Sequence, residues 1–151
     1  MSQSPISITV ADIALRRQRR GPMLTVEACN ISTEQGVGGD FRGKPGKRQV
    51  TLLSEAAWQD ACESIDVTLP WTVRRANILV RGRTFSAADV GKIVSIGEAR
   101  LEITRETDPC QRMDDAQPGL KAALAPDWHG GVCCRVLNAG DIRVGDTLYI
   151  N

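Results

Sequence analysis

Histidine occurs once in the 151 residues, tyrosine once and phenylalanine twice. A lone histidine, with five cysteines and no CxxC pair, leaves little material for a structural zinc site. The cysteines are odd in number and irregularly spaced. They do not form a disulfide framework, and reduced thiols are expected. Aromatic residues make up 4% of the chain and the net charge is +1. Base stacking and a clear basic excess, the marks of a nucleic-acid binder, are both missing, so no nucleic-acid partner is expected. No run approaches the roughly 20 apolar residues that cross a bilayer. MSQSPISITV lacks the basic start and apolar stretch of a signal peptide. No membrane partner is expected, and the cytoplasm is the expected location.

What is present is ordinary globular material: 42% hydrophobic and 25% charged residues, in a length that suits one domain over 1–151. Short strand-like stretches alternate with glycine turns. ISITVADIAL (6–15) and MLTVEACNI (23–31) read as two arms of a hairpin across the charged turn RRQRRGP (16–22). RQVTLLS (48–54) reads as a strand. Ser54 then stands where a cap belongs for a helix over 55–64, in which Ala57, Trp58, Ala61 and Cys62 share one apolar face. TVRRANILVRG (72–82) is strand-like, and residues 90–107 read as a hairpin turning at Gly97. PGLKAALAP (118–126) predicts a short helix ending before Pro126. GVCCRVL (131–137) and DTLYIN (146–151) are late strands. VGKIVSI (90–96) and VGDTLYI (144–150) echo one another, each a turn glycine feeding a strand. Helices are too few for alternating βα units, so the fold class expected is mainly β: a mixed-strand barrel with one or two short helices.

Two features could carry chemistry. GVGGDFRGKPGKRQV (36–50) sets glycines beside Arg42, Lys44, Lys47 and Arg48. Glycine-rich backbone presents N–H groups at close range and arginine's planar fork suits phosphate, although no lysine-serine ending marks it as a nucleotide-binding loop. Arg74, Arg75, Arg81 and Arg83 flank a second stretch, ANILV. Arg16, Arg17, Arg19 and Arg20 read as a solvated turn only. Cys110, in TDPCQRM, follows a proline that interrupts strand pairing, which puts the thiol at a loop or strand end. It reads either as a buried inert cysteine or as an exposed soft ligand and nucleophile with Arg105 and Arg112 near in sequence. Cys29, Cys62, Cys133 and Cys134 read as structural, the last two on opposite faces of one strand. His129 reads equally as a proton donor or ligand and as a loop histidine with a local hydrogen bond.

The ordered set GVGGD (36–40), KRQVTLLSEAAW (47–58), RRANILVRG (74–82), VGKIVSIGEARLEITRETDPC (90–110), GGVCCRVLNAG (130–140) and IRVGDTLYI (142–150) resembles the MOSC domain, the C-terminal region of molybdenum cofactor sulfurase. The resemblance covers about residues 25 to 151. It implies a barrel-like β fold and binding of the molybdenum cofactor, a pterin with a dithiolene and a phosphate. It implies that Cys110 binds the metal or carries its sulfur, and that Gly38, Gly39, Asp40, Arg48, Arg75 and Asn77 line the cofactor pocket. Sulfur transfer or a molybdenum-dependent oxidation-reduction is the implied activity. The alternatives are a non-enzymatic carrier of the cofactor or of a persulfide, serving a molybdoenzyme or redox partner, and a divergent member that binds another small anion. Pyridoxal phosphate, which serves a separate domain of the sulfurase, is not expected in this chain. Two positions depart from the family pattern: Phe41 and Arg42 stand where many relatives have histidine, and Ala76 where many have glutamate.

Overall fold

The computed structural model describes residues 7–151. Ile6, the start of the first expected strand, lies outside them. The chain forms β1 (Thr9–Leu15), β2 (Leu24–Thr25), β3 (Ala28–Ser32), β4 (Gly36–Val37) and β5 (Val50–Ser54) before its first helix, α1 (Glu55–Ser64). Then come β6 (Ile78–Arg81), β7 (Ile93–Ile96), β8 (Ala99–Glu106), α2 (Gln111–Ala116) and α3 (Leu120–Leu124). β9 (Val132–Asn138), β10 (Gly140–Arg143) and β11 (Leu148–Ile150) complete the order. Eight strands make one sheet in the order β11-β7-β8-β9-β5-β6-β1-β2, and β10-β3-β4 make a second. Pairing is antiparallel except between β5 and β6, which are parallel, so the sheet is mixed. It curls until β11 meets β1: Leu148 N donates to Ile8 O (2.8 Å) and Val10 N to Asp146 O (2.8 Å). The two echoing segments end up side by side, Val94 opposite Ile150 and Ile96 opposite Leu148.

Strand alternation divides the molecule into two cores. Val50 and Leu52 of β5 point into the barrel with Ile13, Ile78, Leu101 and Cys134. Leu53 points the other way, beneath a helical layer made of Trp58, Met113, Leu120 and Leu124. Thr51 shares that outer face, next to the helices. α1 occupies the expected span. The Ser54 hydroxyl accepts from Ala57 N (3.2 Å), and Ala57, Trp58, Ala61 and Cys62 are buried. Among the described residues no helix is long and apolar enough to cross a membrane.

Three expectations need correction. The arm 23–31 breaks after Thr25: β2 pairs with β1, while β3 leaves for the second sheet to pair with β10. The stretch 72–82 is a strand only over Ile78–Arg81; Trp71–Arg74 form a 3-10 turn, and Arg75 is left-handed (φ 63°). The α-helices number three among the described residues, because α2 starts directly after Cys110.

Gly131 joins the helical layer to β9. Its φ is +95°, and a Cβ there would sit 2.2 Å from Leu52 O. Both the left-handed backbone and the contact demand glycine. Gly131→Ala is expected to destabilise the fold by about 3 kcal/mol, seen as a lower urea midpoint with an unchanged slope.

Candidate functional site

A cleft of about 300 Å³ opens on the outer face of β5, beside the helical layer. Five separate segments build it. The end of β1 brings Arg16; the loop after β4 brings Asp40 and Arg42; the start of β5 brings Arg48, Gln49 and Thr51. The turn before β6 brings Arg74, Arg75 and Asn77, and the start of α2 brings Cys110, Arg112 and Met113. Cys110 is exposed, whereas Cys62, Cys133 and Cys134 are buried and Cys29 is half-buried. Burial pushes the Cys29 thiol up to about 11 and raises Cys134 further. The thiol that faces the cleft is therefore the accessible one.

Six arginines face one carboxylate in this cleft. That carboxylate is engaged: Asp40 Oδ1 accepts from Arg16 N (3.0 Å) and Oδ2 from Arg42 N (3.2 Å). Asp40 thus shapes its loop through backbone N–H groups. Buried Arg74 and Arg16 and half-buried Arg75 are held by carbonyl oxygens. Arg74 Nε donates to Gly130 O (3.0 Å) and its Nη2 to Thr107 O (2.8 Å). Arg16 Nη1 donates to Arg19 O (2.6 Å), with its guanidinium 5.9 Å from the centre of the Phe41 ring. Arg75 Nη2 donates to Gly21 O (2.7 Å), and its buried Nε has no hydrogen-bond partner among the described residues. A carbonyl orients a guanidinium without cancelling its charge, so burial and then neighbouring arginines pull all three below the ordinary arginine value.

Two positions that depart from the family pattern find local contacts here. Arg75 needs no adjacent glutamate to orient it, because Gly21 O does so, and Ala76 is packed into the outer core. Phe41 supplies the ring against which Arg16 lies.

The candidate residues do not all reach the cleft. Asp40, Arg48, Arg75, Asn77 and Cys110 line it. Gly38 and Gly39 do not. Gly38 N already donates to Asn30 O (2.8 Å), and Gly39 lines a separate surface hollow with Arg17 and Lys44. The loop's glycines serve close packing instead. A Cβ on Gly43 would lie 1.5 Å from Gln35 O. Buried Gln49 ties the loop down, donating to Thr33 O (2.8 Å) and Gly43 O (3.1 Å) while accepting from Val136 N (2.9 Å).

Asn77 is a strand clamp. Its Oδ1 accepts from Thr51 N (3.0 Å) and its Nδ2 donates to Ala14 O (3.2 Å), which joins β1, β5 and the start of β6 under the cleft. Of the remaining basic residues, Arg81 pairs with Glu55 and Arg83 with Asp89, both away from the cleft. Arg105 does not line it; Arg112 does. His129 lies in another hollow. Its Nδ1 is 2.6 Å from Pro126 O, a local contact, and its Nε2 is 2.7 Å from Asp60 Oδ2 on α1, so it ties its loop to that helix away from the Cys110 cleft. Arg16, expected to be one charge of a solvated turn, lines the cleft, and its place directly after the apolar β1 is the signal for it in the sequence.

The MOSC domain family matches residues 17–149. The chain is a MOSC-domain protein. That family is associated with binding of the molybdenum cofactor. No curated protein matches this MOSC domain. Among solved structures it is similar to the YuaD protein from Bacillus subtilis, at 17% identity over 96% of each chain and a TM-score of 0.80. It is also similar to YiiM from Geobacillus stearothermophilus, at 16% identity over 95% of this chain and 75% of that one, TM-score 0.73. YiiM from Escherichia coli shows 14% identity over 95% and 69%, TM-score 0.71. These likenesses show the mainly β MOSC fold.

Asn77 and Arg48 separate architecture from binding. Asn77→Ala leaves buried partners unmet and is expected to cost about 3 kcal/mol in urea unfolding. Exposed Arg48 makes no such contacts among the described residues, and Arg48→Ala is expected to hold stability within about 0.5 kcal/mol.

Proposed function

We propose that this MOSC domain binds the molybdenum cofactor in the Cys110 cleft, with the phosphate among the arginines and Cys110 at the metal or its sulfur. The observation that carries this reading is that one exposed thiol shares a small cleft with six guanidinium groups whose single carboxylate is already engaged. The unpartnered buried Nε of Arg75 fits such a ligand, since a buried donor without an acceptor is costly and an oxyanion would complete it.

When bound, the cofactor would supply a redox-active metal already held by dithiolene sulfur, for which a thiolate is a well-matched soft ligand. The chain's own residues then have distinct tasks. Arg48 and Arg42, exposed at the mouth, attract and grip the phosphate; Arg75, fixed by Gly21 O, offers it a preset fork. Arg74 adds a fixed positive charge from below, where burial lets it act over a short, poorly screened distance. Asp40 and Asn77 contribute by holding the loop and the strands in place. Cys110 offers its sulfur either as a ligand or as a carrier, its thiolate taking the outer sulfur of a donor persulfide while the donor leaves as a thiolate, and turnover or carriage for a partner enzyme both use that position.

Protein made in a host that synthesises the cofactor is expected to co-purify with molybdenum and a pterin. Cys110→Ser is expected to hold about tenfold less metal, or lower still, while remaining folded. Equal molybdenum in the two proteins, measured by elemental analysis, would contradict the assignment.

A further inference from the structure

Two arginines pin the turn RRQRRGP, Arg16, which is buried, and Arg75, which is half-buried. Arg16 Nη1 holds Arg19 O at 2.6 Å and Arg75 Nη2 holds Gly21 O at 2.7 Å. The turn also closes on itself through Gly21 N and Gln18 O (3.0 Å). A solvated loop has no need of such anchoring. What the anchoring does is place Arg20 over a second hollow, of about 510 Å³, whose other walls include Thr72, Arg75, Arg112, Met113 and Asp115. Arg75, Arg112 and Met113 also line the Cys110 cleft, so the two hollows are lobes of one groove with Arg75 at their junction. Arg75 holds a left-handed backbone (φ 63°) that a non-glycine residue adopts only at some cost.

We propose that the outer lobe, walled by Arg20, Arg75 and Arg112, is a second anion subsite that takes the phosphate end of a small substrate whose other end reaches Cys110. Arg20 adds a positive charge of this lobe's own to Arg75 and Arg112, which it shares with the Cys110 cleft, against one carboxylate, Asp115, so positive charge is in excess. A phosphate monoester carries about −1.5 to −2 at neutral pH and matches that excess better than a carboxylate does. The Thr72 hydroxyl adds a neutral donor at the rim. The subsite depends on the cofactor reading only for what happens at the far end of the substrate; the anion site itself does not.

The test uses inorganic phosphate as the probe, on protein freed of cofactor, at fixed ionic strength, followed by amide chemical shifts. The wild type is expected to show two binding curves, one at amides near Gly21 and Thr72 and one near Gln49 and Thr51. Arg20→Ala, at an exposed position, is expected to weaken the first by about tenfold or more and spare the second. Arg48→Ala is expected to do the reverse, and Arg19→Ala to change neither. A single curve in the wild type, or an Arg20→Ala protein indistinguishable from Arg19→Ala, overturns the subsite. Acetate competing as well as phosphate at the Arg20-dependent site overturns the phosphate assignment. Molybdenum content decides the cofactor reading separately: two phosphate curves in a protein that never takes up molybdenum leave the subsite standing and remove its proposed companion.

Discussion

Guanidinium groups held by carbonyl oxygens are the arrangement on which the rest depends. Arg74 is fixed by Gly130 and Thr107, Arg75 by Gly21 and Arg16 by Arg19, and no carboxylate takes part in any of these contacts. A salt bridge would have neutralised each charge. Carbonyl contacts leave it in place and aimed, at the cost of placing like charges near one another in a poorly hydrated space. Such a cleft is built at the expense of stability and relieved by an anion. The same logic extends outward to Arg48, Arg42 and Arg112, which are exposed and add attraction at the mouth.

The barrel makes this arrangement possible. Each strand of the curled sheet delivers its connecting turn to the surface, and β1, β5 and β6, which are neighbours, deliver three of the cleft's five segments. Asn77 joins those three strands from one buried side chain, so the floor of the cleft is also a joint of the sheet. The helical layer brings the fourth face. Met113 sits in the outer core while Cys110, three residues earlier, stays at the surface at the N-terminal boundary of α2, its thiol making no capping hydrogen bond. Arg74 then couples the two halves, because Thr107 O belongs to the segment leading to Cys110 and Gly130 O to the segment entering β9. One side chain thus locates the thiol's loop relative to the sheet.

Where local chemistry decides an element, the sequence was readable. α1 had a serine cap and a clean apolar face; the 93–106 hairpin had alternation and a turn glycine; adjacent cysteines in a strand had to face opposite ways. Long-range packing hid the rest. β3 departs from β2 because it pairs with β10, more than a hundred residues later, and nothing within 23–31 announces that partner. The glycine-rich segment suggests a phosphate cradle, but Gly36 in β4 and Gly43 in the loop after it allow close packing against Gln49 and Gln35, and the N–H of Gly38 is taken by Asn30. Arg16 looked like one of four solvated charges because its environment, the Phe41 ring and the Arg19 carbonyl, exists only after folding. The convergence of Cys110 with Arg48 and Arg75 was anticipated from motif order, and the structure supplies the reason: all three lie at ends of elements that meet beside Thr51.

Stored positive charge has a direct thermodynamic signature. An anion that binds the folded cleft and not the unfolded chain raises the unfolding midpoint with its concentration, beyond any effect of ionic strength. The decisive measurement is the thermal midpoint of cofactor-free protein in inorganic phosphate against sodium chloride at matched ionic strength. The account expects a midpoint that climbs steadily with phosphate and stays flat, by comparison, in chloride. Identical midpoints in the two salts across the series would show that the cleft holds no excess charge awaiting a ligand, and would contradict it.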